Sequence, residues 1–158
     1  MKKEEILWLH DFNIEQVLPV LHNLREHDQL ETEASGFNST EYHSDLIEQA
    51  LDRATIKWLG ICENKPICVG GLLETGDSVL EGWFLASNWI RRRHFIDITD
   101  KACTILKSFS NTDIRVLVWN QHIISHKWLG RLGFHKAGEA ANPQTGEIFF
   151  QYLRKSNV

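Results

Sequence analysis

The sequence predicts an α/β (α+β) fold, a mixed central sheet of about seven strands with helices on both faces. Short apolar runs alternate with stretches whose apolar residues recur at helical spacing. In the middle of the chain, consecutive apolar runs are separated only by tight turns, as in an antiparallel meander. A strand, a helix and a final strand pair follow, which is the pattern of a crossover connection. The predicted order is β-α-α-β-β-β-α-β-α-β-β, in a single domain over residues 1–158.

Each element has a local reason. Ile6 to His10 is a short apolar run and reads as the first strand. Asp11 or Asn13 can cap a helix from Ile14, with Val17, Leu18, Leu21 and Leu24 at helical spacing and Pro19 inside the pattern. His27 to Ser35 is polar and acidic, and Gly36 breaks it. Ser39 or Thr40 can cap the second helix, which carries Tyr42, Leu46, Ile47, Ala50 and Leu51 on one face.

Ile56 to Cys62 and Ile67 to Leu73 are two strands joined by a Glu63-Asn64-Lys65-Pro66 turn. After the Gly76-Asp77 turn, Val79 to Ala86 is the third strand of the meander. Ile90 to Phe109 is the longest predicted helix, with an apolar stripe through Phe95, Ile98, Ala102, Ile105, Leu106 and Phe109. Ile114 to Trp119 is nearly all apolar, as in a strand buried on both faces. Ile124, Trp128 and Leu132 predict a helix that Gly133 stops. Phe134 to Glu139 and Glu147 to Leu153 are the last two strands.

Composition limits the function classes. Of the 158 residues, 42% are hydrophobic and 24% charged, which marks a globular chain. The net charge of −4 argues against a surface built to neutralise a nucleic-acid backbone, and Arg91-Arg92-Arg93 is the one basic cluster. Cys62, Cys68 and Cys103 fit no zinc spacing and read as reduced, buried thiols, although Cys62 and Cys68 flank a turn and could lie opposite each other. The eight histidines show no metal-ligand spacing, so no metal is expected and most read as surface or cap residues. No apolar stretch approaches the ~20 residues that span a bilayer, and MKKEEILWLH does not read as a signal peptide, so a cytoplasmic protein is expected.

Val118-Trp119-Asn120 followed by Ser125-His126-Lys127-Trp128-Leu129-Gly130-Arg131-Leu132-Gly133-Phe134 resembles the strand–Asn–helix–Leu-Gly-Phe segment of the GNAT acyltransferases, which move acyl groups from coenzyme A to amines. The element order is similar to theirs. A narrower resemblance lies in Arg25-Glu26-His27-Asp28, Glu31, Glu33-Ala34-Ser35-Gly36, Val69-Gly70-Gly71 and Gly82-Trp83-Phe84-Leu85, together with the Leu-Gly-Phe segment. These look like a GNAT-like family of internal virion or virion-morphogenesis proteins of short-tailed phages. That resemblance implies a protein of the infected cell or of the particle, with a phage structural or host protein as partner.

The superfamily resemblance implies a site in which two diverging parallel strands, Val79–Ala86 and Ile114–Trp119, receive the pantetheine arm of acetyl-CoA. Trp83, Phe84 and Leu85 would line it, and Asn120 and Lys127 would contact the cofactor. The pyrophosphate loop falls at Ala86 to Arg93 and has no glycine, so Ser87, Asn88 and the charges of Arg91, Arg92 and Arg93 would have to serve instead. Glu81 is the first candidate for the general base, with Glu74 and His122 behind it. Leu129 stands where the family carries its tyrosine acid; Asn120 stands about two residues further from the Leu-Gly-Phe than the family asparagine and His122 occupies the matching count, and either could hydrogen-bond the acyl or pantetheine amides. The acidic run Glu26, Asp28, Glu31 and Glu33 reads either as a solvated face or as a lure for a cationic amine. Trp83, Trp89, Trp119 and Trp128 read as core packing or as a cluster beside the cleft.

Two readings follow. One is a GNAT-fold phage-type protein with degenerate acetyl-CoA chemistry, acting in virion assembly or as an interaction module. The alternative is an active N-acetyltransferase for a primary amine of a small molecule or protein. A third, a nucleic-acid-modifying relative, runs against the acidic balance. Acceptor, partner and oligomeric state are not written in the sequence.

Overall fold

Local chemistry sets the elements of the computed structural model, which describes residues 5–37 and 39–157. In chain order they are β1 (Leu7–Leu9), α1 (Ile14–His22), α2 (Glu26–Ala34), α3 (Thr40–Asp52), β2 (Ala54–Cys62), β3 (Lys65–Glu74), β4 (Leu80–Ala86), α4 (His94–Ser108), β5 (Ile114–Trp119), α5 (Ile123–Arg131), β6 (His135–Ala141) and β7 (Ile148–Arg154). Asn13 caps α1 in a reciprocal capping box with Gln16, and Ser39 caps α3 through Tyr42 N. The β2–β3 turn is tighter than the sequence suggests. Glu63 and Asn64 both adopt positive φ, while Lys65 and Pro66 already pair with Cys62 and Ile61. That register sets Cys68 opposite Gly60, not opposite Cys62.

Two expectations are corrected. The stretch His27 to Ser35, read as polar and acidic, falls largely in α2, a helix that buries Asp28, Thr32 and Ala34 and no large apolar residue. Periodicity of apolar residues could not reveal it. The helix predicted from Ile90 begins at His94, and Ser87 and Asn88 lie in the preceding loop and cap no helix.

The sheet order is β1-β2-β3-β4-β5-β7-β6, antiparallel except for β4 beside β5. Alternation along the strands sends successive side chains to opposite faces. Leu59, Val69 and Leu85 pack under α1 and α3, against Val17, Val20 and Ile47. Trp58 and Leu72 pack under α4 and α5, against Ile105, Leu106 and Leu129. Gly70 and Gly71 make this two-sided packing possible. A Cβ on Gly70 would stand 2.6 Å from Trp58 Cζ2, and one on Gly71 would stand 3.0 Å from Trp83 Nε1. Each glycine is covered by the indole of its paired residue, on opposite faces of the sheet.

β4 pairs with β3 along its whole length, from Leu80↔Glu74 to Ala86↔Cys68. β5 pairs likewise with β7, from Ile114↔Arg154 to Trp119↔Phe149. Between β4 and β5 only Leu80↔Ile114 and Glu81↔Arg115 pair. The two strands therefore stay bound to their outer neighbours and separate from each other beyond Glu81 and Arg115, which opens a wedge in the sheet.

Candidate functional site

The wedge contains an apolar cavity of about 210 Å³, lined by Gly82, Trp83, Phe84 and Leu85 from β4 and by Val116, Leu117 and Val118 from β5. Its boundary on one face of the sheet includes Glu31, Phe37 and His43, and on the other Leu106, Trp128 and Leu132. Trp128 closes the latter side. Its ring lies 5.0 Å from that of Phe84, and its Nε1 donates to Thr99 Oγ1 of α4 at 3.0 Å. His43 is buried and stacks on Phe37, and burial pushes its pKa down, so the ring stays neutral.

Where strands separate, backbone groups lose their ladder partners and need others. α2 supplies them. Asp28 Oδ2 accepts from Ala86 N, at the end of β4, at 2.7 Å. Glu31 Oε2 accepts from Trp119 N, at the end of β5, at 3.0 Å. Asp28 also accepts from Arg25 Nε at 2.8 Å and, through Oδ1, from His122 Nε2 at 2.8 Å. Asp28 and His122 are each 1% exposed. Burial opposes the Asp28 charge, but the His122 hydrogen bond and the Arg25 guanidinium outweigh it and hold the carboxyl below its usual range. Burial wins at Glu31. Although the charge of His122 and the Trp119 N–H oppose it, burial pushes the Glu31 carboxyl up to about 7.

The loop from Ala86 to Arg93 is where the phosphates of coenzyme A are expected to meet free backbone N–H groups. The first six of these groups, from Ala86 to Arg91, donate within the chain. Their acceptors are Asp28 Oδ2, Ile67 O, Asn23 O, Ser87 Oγ, Ser87 O and His94 Nδ1, in chain order. Burial, then the charges of Arg93 and Arg91, lower the His94 pKa, and its Nδ1 accepts from Arg91 N at 2.8 Å. Arg91 folds back onto the carbonyls of Asn88 and Ile90. Ser87 is buried, with Oγ donating to Pro66 O. Six of the loop's eight N–H groups are thus engaged by the protein itself and are not open to a pyrophosphate.

The sequence-predicted residues therefore divide. Trp83, Phe84 and Leu85 line the wedge cavity. Arg92, Arg93 and Lys127 border a separate open groove between α4 and α5, together with Arg131, Ile96 and Ile124. Trp128 borders both spaces. Asn88 is exposed beside the groove's loop. Glu81 belongs to the closed, paired end of the wedge and does not line the cavity. His122 caps α5 and pairs with Asp28. Asn120 engages Ile148 O through its N–H and His126 through its carbonyl, while its side-chain oxygen is buried without a partner.

Of the acidic run read either as a solvated face or as a lure for a cationic amine, Glu26 and Glu33 are exposed, but Asp28 and Glu31 turn inward to the wedge. The signal that could have found them is their i, i+3 spacing after Arg25, which puts all three on one helix face. His43 and His94 are buried core groups, not surface residues.

Among the described residues, no cluster of His, Cys, Asp and Glu could hold a metal ion, and no helix is long and apolar enough to cross a membrane. No family model matches the chain, and no curated protein matches it. Solved structures do. A GNAT-family acetyltransferase from Bacillus anthracis superposes with a TM-score of 0.68 at 12% identity, over 97% of this chain and 96% of its own. A spermidine N-acetyltransferase chimera from Vibrio cholerae gives 0.67 at 12% identity, over 94% of each chain. An acetyltransferase from Bacillus subtilis in complex with coenzyme A gives 0.64 at 14% identity, over 97% of this chain and 99% of its own. The fold is the GNAT fold.

Proposed function

We propose that this chain, which carries the fold of the GNAT acyltransferases, is an interaction module in which the grip on coenzyme A has been lost. The observation that carries the reading is the loop from Ala86 to Arg91, where six consecutive backbone N–H groups already have acceptors inside the protein. A phosphate would have to displace one of these acceptors for each of the six donors it gained. A shared fold does not carry an activity with it. The setting we propose, assembly of a particle with a phage structural or host protein as partner, rests on the sequence resemblance to phage virion proteins alone.

The alternative, N-acetyl transfer from acetyl-CoA to a primary amine, is favoured by one observation. Glu31 borders the wedge cavity with its carboxyl raised to about 7, where a general base works best at neutral pH. Glu31, not Glu81, is the base in that reading. The cations Arg92 and Lys127 of the outer groove would then hold the phosphates.

Thermal unfolding with acetyl-CoA separates the two. A ligand at about 100 times its Kd stabilises by about 2.7 kcal/mol and raises Tm. The expected result is no shift at millimolar acetyl-CoA. A clear rise that Arg92→Ala together with Lys127→Ala removes would overturn the proposal in favour of acetyl transfer.

A further inference from the structure

The sheet separates the charges of this chain. From Asp11 to Asp52, through α1, α2 and α3, the only Lys or Arg is Arg25, which already pairs with Asp28. On α3, Glu41, Asp45, Glu48 and Asp52 follow one another at spacings of four, three and four residues, which sets them in one stripe. All four are exposed, and among the described residues none has an ion-pair partner. Like charges at these spacings weaken a helix, so the stripe needs a reason outside α3.

The opposite face of the sheet, where α4 and α5 pack, is its complement. The open groove between these helices is bordered by Arg92, Lys127 and Arg131, exposed cations with no ion-pair partner among the described residues, and by one carboxylate, Asp100. A fourth cation there, Arg93, pairs with Glu63 at 3.7 Å. Among the cations, Ile96 is 66% exposed and Ile124 41%, with Ile123 alongside at 58%. Large apolar side chains gathered on an exposed surface mark a contact. A free inorganic anion would satisfy the cations and leave the isoleucines in water. An acidic helix with an apolar side chain covers both. Such a helix is α3, whose Tyr42 is 43% exposed, lies three residues before Asp45 and carries an apolar ring with a polar tip.

We propose that the α4–α5 groove of one copy of this chain receives α3 of a second copy, with the groove cations against the acidic stripe and Tyr42 against Ile96 and Ile124. Groove and helix lie on opposite faces of the sheet, so the contact is head to tail, and each added copy leaves its own groove open for the next. The proposal rests on the interaction-module reading, because in the acetyl-transfer reading the same cations hold phosphates.

Sedimentation velocity of the full chain tests this. The sedimentation coefficient should rise with protein concentration at about 0.01 M salt, where exposed charges act over about 30 Å, and much less at about 1 M, where their reach shrinks to about 3 Å. Asp45→Ala with Glu48→Ala disarms the helix, Ile124→Glu disarms the groove, and each should weaken self-association at least about tenfold. These positions are exposed, circular dichroism checks that the variants fold, and Lys127→Ala with Arg131→Ala is the groove variant to use if Ile124→Glu misfolds. Mixed in equal amounts, the helix variant and the groove variant should form a dimer and nothing larger, because only one intact contact joins them. A chain that stays monomeric at low salt, self-association that grows with salt, unchanged association in either variant, or a mixture that fails to pair would each overturn the proposal. The acetyl-CoA titration reads out separately. A Tm rise there refutes the interaction-module reading, whereas a monomeric chain without one refutes only the second copy as occupant of the groove.

Discussion

Asp28 and Glu31 stand one helical turn apart on α2, yet their carboxylates serve different strands: Asp28 takes the N–H of Ala86 at the end of β4, and Glu31 that of Trp119 at the end of β5. A single short helix thus bridges the open end of the wedge. Each strand edge that gave up its neighbour gets a charged or ionisable acceptor in exchange. Arg25 and His122 hold Asp28 in place, and His122 in turn caps α5.

Removing Asp28 should therefore be severe. Asp28→Ala leaves Arg25, His122 and Ala86 N without their common acceptor, and breaking a buried pair this way costs about 3–5 kcal/mol. Asp28→Asn keeps shape and one acceptor and should cost less. Urea unfolding monitored by tryptophan fluorescence measures both. A loss below about 1 kcal/mol for the alanine variant would show that the network contributes little.

Glu31 should act on stability with the opposite sign. Its folded pKa of about 7 lies above the unfolded value near 4.5, so the folded state binds more protons between these limits. Stability from this group is full below about pH 4.5, falls as pH rises to about 7, and stays lost above it. Burial of His43 and His94 opposes their protonation and contributes a slope of the other sign in the same window. The difference between wild type and Glu31→Gln isolates the carboxyl. The glutamine variant should gain on wild type between pH 5 and 7, by ~3 kcal/mol at most above pH 7. Parallel pH profiles for the two proteins would refute the raised pKa.

Asp28 has its own window at acid pH. Its folded pKa is depressed, so its contribution is present above the unfolded value near 3.8 and is lost as pH falls through the lower folded value. Acid unfolding of Asp28→Asn should lack this component, and chemical denaturation between about pH 2 and 5 reads it.

The link between Trp128 and Thr99 should show coupling. Trp128→Phe and Thr99→Val each break the 3.0 Å hydrogen bond, at about 1 kcal/mol apiece. The double variant should cost less than the sum, because the second change removes a bond already gone. Strict additivity in the cycle would mean that the contact carries no stability.

Gly70→Ala probes the two-sided indole packing. A Cβ 2.6 Å from the Trp58 ring forces a shift of a large buried side chain, which costs about 1–3 kcal/mol. Differential scanning calorimetry measures it, and an unchanged Tm would show that Trp58 relaxes freely.

By itself the sequence determined the strand and helix order apart from α2, while the wedge between β4 and β5 was implied only by the GNAT resemblance. The apolar periods of the helices, the Glu63-Asn64 turn and the apolar run of β5 are local signals, legible wherever they stand. Missing loop glycines were equally legible. Only the tertiary structure decided which carboxylates turn inward, that the loop donors are engaged by the chain's own acceptors, and that Glu81 sits at the closed end. These depend on where strand edges lose their partners, and a buried polar contact joins residues as distant as Asp28 and His122. Polar residues leave no hydrophobic period to betray their burial; the spacing of Arg25, Asp28 and Glu31 hints at a shared helix face, but only the assembled sheet shows which strand edge each carboxylate meets.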